Sequence, residues 1–222
     1  MNILVFIQRR SLLFYYSNRN QPVQCIVPET VMNDLEILNE QELHELFKRY
    51  IPPKDPKVQT QVILLLSDDV CFSSWLEAGK EEQVKKTTVE NAPFARIESV
   101  TIPFDQHMLY IITNQDLYGI IGHELETYNC SIIGIYPWVI AKYGKLLNDG
   151  GVFDSTVVKK IFEAHSHLKA YSFSYLSSQT PSIIDTQNKT EQAKKSIPTG
   201  WIIFILFTFL YIVAMFFIFI RK

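Results

Sequence analysis

Ile3 to Ile7 and Leu12 to Tyr16 are two apolar or aromatic runs joined by Gln8-Arg9-Arg10-Ser11. Two such runs around a short polar turn predict a β-hairpin, with Val23 to Val27 as a third strand. Asn39 then stands three residues before Glu42, and Leu43, Leu46, Phe47 and Tyr50 recur at helical spacing until Pro52-Pro53. That pattern predicts a capped helix ended by proline. Val62 to Leu66 is a short continuous apolar run, as expected of a strand buried on both faces. Lys80 to Asn91 reads as a charged helix, and Ile97 to Ile102 and Met108 to Thr113 read as strands. Asn114 caps a helix presenting Leu117, Ile120, Ile121 and Leu125. Ser131 to Tyr136 is a further strand closed by Pro137. A helix near Trp138 to Leu147, a Gly150-Gly151 break, a helix carrying Val157, Val158, Ile161, Phe162 and Leu168, and a last strand over Ala170 to Tyr175 complete a mixed α/β (α+β) head.

The pattern changes after residue 176. Ser177 to Gly200 is rich in Ser, Thr, Gln and Lys, the composition of a flexible tether. Trp201 to Ile220 is a run of 20 residues without a charge, followed by Arg221 and Lys222. As a helix it spans about 30 Å, the thickness of bilayer hydrocarbon. Its six Ile, six Phe, two Leu and one Val favour insertion by about 5 to 9 kcal/mol, an upper bound because the full value per residue holds only near the helix centre. The expected organisation is a head over 1–176, a linker over 177–200, a transmembrane helix over 201–220 with Trp201 at an interface, and a basic tail at 221–222.

Composition adds orientation and exclusions. Of the 222 residues, 47% are hydrophobic and 20% charged. The first 200 residues carry 19 basic against 23 acidic side chains, which disfavours non-specific nucleic-acid binding. Gln8, Arg9 and Arg10 interrupt the apolar start before a signal-peptide core can form. With that start and a C-terminal span, the head is expected to stay in the cytoplasm, anchored to the inner (cytoplasmic) membrane. Three lysines before the span, Lys189, Lys194 and Lys195, against two basic residues after it, agree weakly with that orientation. Cys25, Cys71 and Cys130 are odd in number and far apart, so they support neither a disulfide framework nor a cysteine zinc site. The sequons at Asn129 and Asn188 carry no weight in a cytoplasmic head and its linker.

Candidate chemistry is sparse. Asp68 and Asp69 follow the buried strand, where carboxylates of α/β folds can hold a metal or act as acid and base. Turn and capping roles are the commoner use of such a pair. His123-Glu124 begins the zinc-protease pattern H-E-x-x-H, but position 127 is Thr. His165 and His167 are two apart on a predicted helix and so point to different faces. Ser11, Ser67, Ser73 and Ser74 lack a readable base. No glycine-rich phosphate loop is present in the sequence.

The hairpin Ile3 to Tyr16, the helix Leu43 to Tyr50, the phrase Val62-Ile63-Leu64-Leu65-Leu66-Ser67-Asp68-Asp69-Val70, Asn91-Ala92-Pro93-Phe94, and Thr113-Asn114-Gln115-Asp116-Leu117-Tyr118 running on to Tyr136-Pro137 resemble the front half of PilM-like proteins. Those are actin-like cytoplasmic components of type IV pilus assembly. The resemblance covers roughly Met1 to Tyr143. It implies an incomplete actin-like (RNase H-like) lobe with a small inserted α+β domain over about 78–115. A head joined to a single span also resembles the arrangement of GspL, a type II secretion protein. Full members bind ATP phosphates with an acidic residue and a glycine-rich first turn, whereas this turn is Gln8-Arg9-Arg10-Ser11. The resemblance therefore implies no bound cofactor and a non-enzymatic scaffold. Its partners would be an assembly ATPase and bitopic membrane subunits, and its groove between lobe and insert would lie near Pro93, Phe94, Ile102 and Phe104. A membrane-anchored nucleotide-dependent enzyme or hydrolase using Asp68 or Asp69 is the alternative.

Overall fold

The two most apolar strands sit at the centre of the fold. The computed structural model describes residues 1–19, 21–51, 59–104, 106–143 and 154–175. The opening hairpin is β1 (Asn2–Gln8) and β2 (Ser11–Tyr16), followed by β3 (Val23–Ile26), a two-residue pair β4 (Met32–Asn33) and β5 (Glu36–Ile37), and helix α1 (Glu40–Tyr50). Then come β6 (Thr60–Leu66), β7 (Cys71–Leu76), α2 (Glu81–Glu90), β8 (Ile97–Phe104), β9 (His107–Asn114), α3 (Gln115–Thr127) and β10 (Cys130–Pro137). The described chain closes with α4 (Val139–Tyr143), α5 (Ser155–Leu168) and one 3-10 turn at Lys169–Tyr171.

Five strands form the main sheet in the order β10-β6-β1-β2-β3. β1 lies antiparallel to β2 but parallel to β6, which is parallel to β10. Parallel neighbours need crossovers, and their strands are covered on both faces. Val5 pairs with Phe14 on one side and Leu64 on the other, so these three share a face. α1 covers it: Phe47 meets the Phe14 ring edge-on at 5.9 Å. The opposite face carries Phe6, stacked at a tilt on Trp138 at 5.3 Å, and Tyr136, whose hydroxyl lies 2.8 Å from His165 Nδ1 on α5. Ile3, Leu4, Val5 and Ile7 consequently have no solvent exposure at all.

The crossover from β6 to β10 contains a second, three-stranded antiparallel sheet, β7-β9-β8. One of its faces carries Phe72, Ser74 and Leu76, and α2 lies there, with Thr88 Oγ1 donating to Ser74 Oγ at 2.9 Å. Its inner end is fastened to the main body: Thr113 Oγ1 donates to the Val70 carbonyl at 2.9 Å, and buried Asn114 donates to the Leu35 carbonyl at 2.9 Å. Asn114 also accepts the Asp116 N–H at 3.0 Å as the cap of α3. Asn114→Ala removes both bonds and leaves a buried carbonyl alone, so a loss of about 2 kcal/mol is expected in urea unfolding of the full chain in detergent. A loss below a few tenths would show that water replaces the side chain.

The capped helices and the strands at 3–7, 12–16, 23–27, 62–66, 97–102, 108–113 and 131–136 form as their patterns predict. Three features differ. The strand expected over Ala170 to Tyr175 is instead a 3-10 turn leading into a strap over residues 172–175. There Ser172 Oγ, not a main-chain group, takes the Ile135 N–H at 3.1 Å, while Phe173 N–H donates to the Ile135 carbonyl at 2.8 Å. One residue is thus bonded twice, and no ladder propagates. β7 and the β4–β5 pair are strands the pattern does not announce. The expected helix after Pro137 is described as Val139–Tyr143, and its remainder and Gly150-Gly151 lie outside the described residues. The linker and Trp201 to Ile220 also lie outside them, and no described helix is long and apolar enough to cross a membrane.

Candidate functional site

In open α/β sheets ligands bind beyond the carboxyl ends of the parallel strands. Here those ends are Gln8, Leu66 and Pro137, brought level by the register Ile7–Leu66–Pro137. The first turn, Gln8 to Ser11, therefore faces the segment Ser67-Asp68-Asp69. The contact between them is specific. Asp69 Oδ2 accepts the backbone N–H of Arg9 at 3.1 Å, and its other oxygen accepts from Ser67 Oγ. Ser67 Oγ also lies 2.8 Å from the Ile7 carbonyl, so its single proton is shared between strand end and carboxylate. Ser11 Oγ donates to Gln8 Oε1 at 2.7 Å and closes the turn from inside.

A turn whose amides point outward can cradle a phosphate. In this chain a carboxylate of its own already occupies the Arg9 amide. The two arginines are engaged with acids as well, Arg9 with Asp34 at 2.9 Å and Arg10 with Glu29 at 3.0 Å, both on the surface. Among the described residues at this turn, four carboxylates, Glu29, Asp34, Asp68 and Asp69, outnumber the two guanidinium groups, so their charge opposes a polyphosphate. Asp68 is exposed beside the turn. Among the described residues, no three His, Cys, Asp or Glu side chains converge to hold a metal.

The other sequence candidates have separate places. Glu124 pairs with His44 of α1 at 2.5 Å, and His123 is exposed on α3. His165 is bound to Tyr136, and His167 is exposed. All three cysteines are free thiols, and burial pushes Cys25 and Cys130 up to about 11, which keeps them protonated and unreactive near neutrality. Ser74 accepts from Thr88, and Ser73 is exposed.

The four expected partner-binding residues do not converge on one groove. Phe94 is nearly buried against Phe72, edge-on at 5.4 Å, on the face that α2 covers, and Pro93 beside it is exposed. Ile102 is buried on the opposite face, in a row with Leu109 and Trp75. Phe104 packs edge-on against Trp75 at 5.7 Å at the far end of the small sheet. A cleft of about 320 Å³ lies instead where α1, α3 and the entry to β8 meet, lined by Glu40, Arg96, Asp116, His123 and Tyr175 among others. Arg96 and Asp116 form an ion pair across it at 3.0 Å. A larger depression of about 730 Å³ sits between Asn2, Ser17 and the start of α5, at the amino edge of the parallel strands. Trp75 is a surface residue that the sequence pattern does not single out, because β7 lacks the alternation that marks a strand, and His107 and Met108 lie beside it at the start of β9.

No protein-family model matches the chain, and no curated protein matches it. Solved structures do. The chain is similar to the cytoplasmic domain of EpsL, an inner membrane component of the type II secretion system of Vibrio cholerae, at 11% identity and a TM-score of 0.36, covering 63% of this chain and 58% of that one. It is similar to a structure of the PilM–PilN type IV pilus biogenesis complex at 11% identity and a TM-score of 0.41, covering 65% of this chain and 51% of that one. A protein of Bacteroides thetaiotaomicron with an actin-like ATPase fold and unknown function matches at 13% identity and a TM-score of 0.38, covering 65% of this chain and 55% of that one. The chain spans a little over half the length of these proteins.

Proposed function

We propose that the chain is one incomplete actin-like lobe with a small inserted α+β unit, tethered through 177–200 to a transmembrane helix at 201–220, and that it serves as a non-enzymatic scaffold. The platform would be that of a type IV pilus or type II secretion-like assembly at the inner membrane. The head would dock an assembly ATPase from the cytoplasm, and the helix would pack beside bitopic subunits. The observation that carries the scaffold role is the Asp69 carboxylate on the Arg9 amide. It fills, with a group of the chain itself, the turn at which an actin-like lobe would receive a phosphate. The resemblance of Met1 to Tyr143 to PilM-like proteins supplies the platform. The proposed insert, over about 78–115, takes in α2, β8 and β9.

The full chain, crosslinked in its native membrane and purified through an N-terminal tag, is expected to bring down an assembly ATPase and small bitopic proteins. Recovery of the chain alone, or with unrelated metabolic enzymes, would remove the scaffold role. Calorimetric titration of the full chain in detergent with Mg-ATP is expected to give no heat of binding. Micromolar binding, lost in the Asp68→Asn, Asp69→Asn double variant, would move the assignment to an anchored nucleotide-dependent enzyme.

A further inference from the structure

The small sheet is fastened at one end and bare at the other. Its inner end is held by Thr113, Asn114 and Arg96. Its outer end closes between Phe104 and His107. Two cross-strand rows reach that end, Trp75–Leu109–Ile102 on one face and Leu76–Met108–Pro103 on the other. Large apolar side chains are exposed there from both faces: Trp75 is 48% and Met108 41% exposed. Trp75 is also held, with Phe104 edge-on at 5.7 Å and His107 at 6.1 Å. Ring packing of this kind fixes its orientation before any partner arrives, which lowers the entropy cost of docking.

We propose that this outer end docks at a lipid interface, with Trp75 and Met108 entering the headgroup layer. The proposal rests on the membrane-tethered organisation above, and the sequence names the occupant. As the flexible tether proposed above, the 24 residues from Ser177 to Gly200 would reach about 25–30 Å, so a head anchored by Trp201 to Ile220 would stay within its own length of the bilayer. Tethering of that kind makes the membrane a partner at high effective concentration, and a weak apolar contact is then enough. Tryptophan favours the interfacial zone. From Cys71 to Asn114 there are six acidic and four basic side chains, so the attraction is apolar and does not require anionic lipid.

Full chain carrying Trp138→Phe and Trp201→Phe, leaving Trp75 as its sole tryptophan, is to be reconstituted in phosphatidylcholine vesicles bearing nitroxide at the headgroup. A second chain with Trp75→Phe and Trp138→Phe leaves Trp201 alone. Trp75 fluorescence is expected to fall about twofold against nitroxide-free vesicles, to recover with Met108→Glu, and to be unchanged by adding phosphatidylglycerol. If Trp201 is quenched while Trp75 stays bright, the anchor stands and the docking proposal is overturned. If Trp75 stays bright in nitroxide vesicles but shifts with the density of chains per vesicle, the outer end binds a second copy, which also overturns it. If neither tryptophan is quenched, the anchored organisation itself fails, and the proposal with it.

Discussion

Raising the pH from about 8 to about 12 is expected to unfold the head cooperatively before its buried tyrosines titrate in place. Burial pushes the phenols of Tyr15, Tyr16 and Tyr136 from 10 up to about 12 and the thiols of Cys25 and Cys130 from 9 up to about 11. These groups release their protons in the unfolded chain at ordinary values and hold them in the folded one. Stability therefore falls wherever the unfolded state binds fewer protons. The contribution is complete below about pH 9 and is lost as the pH rises through 11 to 12. Each tenfold difference in proton affinity between the folded and unfolded chain is worth about 1.4 kcal/mol, so a few such groups rival the stability of a whole domain, about 5–15 kcal/mol. On the full chain in detergent, the part of the tyrosinate absorbance that comes from the buried phenols should appear at the same midpoint as the loss of far-ultraviolet circular dichroism. Tyr136→Phe should make the loss shallower above pH 10 while lowering stability near neutrality by about 1 kcal/mol, the worth of its bond to His165. Ionisation of Tyr15, Tyr16 or Tyr136 at ordinary values in a head that stays folded would refute this burial.

Gly134→Ala is expected to cost about 3 kcal/mol, because the new methyl has no space. A Cβ at that position would lie 2.5 Å from the Tyr136 ring. The ring cannot step aside: Tyr136 has no exposed surface, and its hydroxyl is bound to His165 on α5. The crowding arises from the irregularity between Ile132 and Gly134 in the pairing with β6. An extra residue there increases local twist and bends the strand, and the Tyr136 ring comes back over Gly134. Urea unfolding of the full chain should show the loss. The decisive comparison adds Tyr136→Val, which removes the ring. The double variant should be more stable than the sum of the single losses predicts by about 1 kcal/mol or more. Strict additivity would mean that the ring and the glycine do not meet.

Much of the fold could be read in the sequence because local signals agreed with one another. Asn39 with Glu42, and Asn114 before Leu117, join a cap to an apolar face, and Val62 to Leu66 is too short and too apolar to be anything but a buried element. The exceptions have physical causes. The β4–β5 turn places Asp34 and Leu35 at φ of 46° and 67°, a conformation that leucine rarely adopts and no sequence rule assigns to it. β7, Cys-Phe-Ser-Ser-Trp-Leu, breaks the alternation of a half-buried strand, because its two aromatic residues, Phe72 and Trp75, lie on opposite faces and are both partly exposed. At the candidate site the position of Asp69 was legible but its use was not. The bond to Arg9 spans 60 positions and depends on the register of β1 with β6, which pattern alone leaves open. Pro93, Phe94, Ile102 and Phe104 are close in sequence, yet they belong to two faces and two ends of a sheet whose pairing no local signal reveals.

The strap over residues 172–175 has a mechanical meaning. Ser172 and Phe173 are bonded to Ile135 in the main sheet, while Ser174 accepts from the Tyr118 hydroxyl at 3.1 Å and donates to Glu98 of the small sheet at 2.8 Å. Tyr175 lies on α3 so closely that a Cβ at Gly122 would come within 2.7 Å of its ring. A pull applied beyond residue 175 is thus divided among both sheets and the helix between them. Losing the strap would therefore loosen contacts to the main sheet, the small sheet and α3 at once.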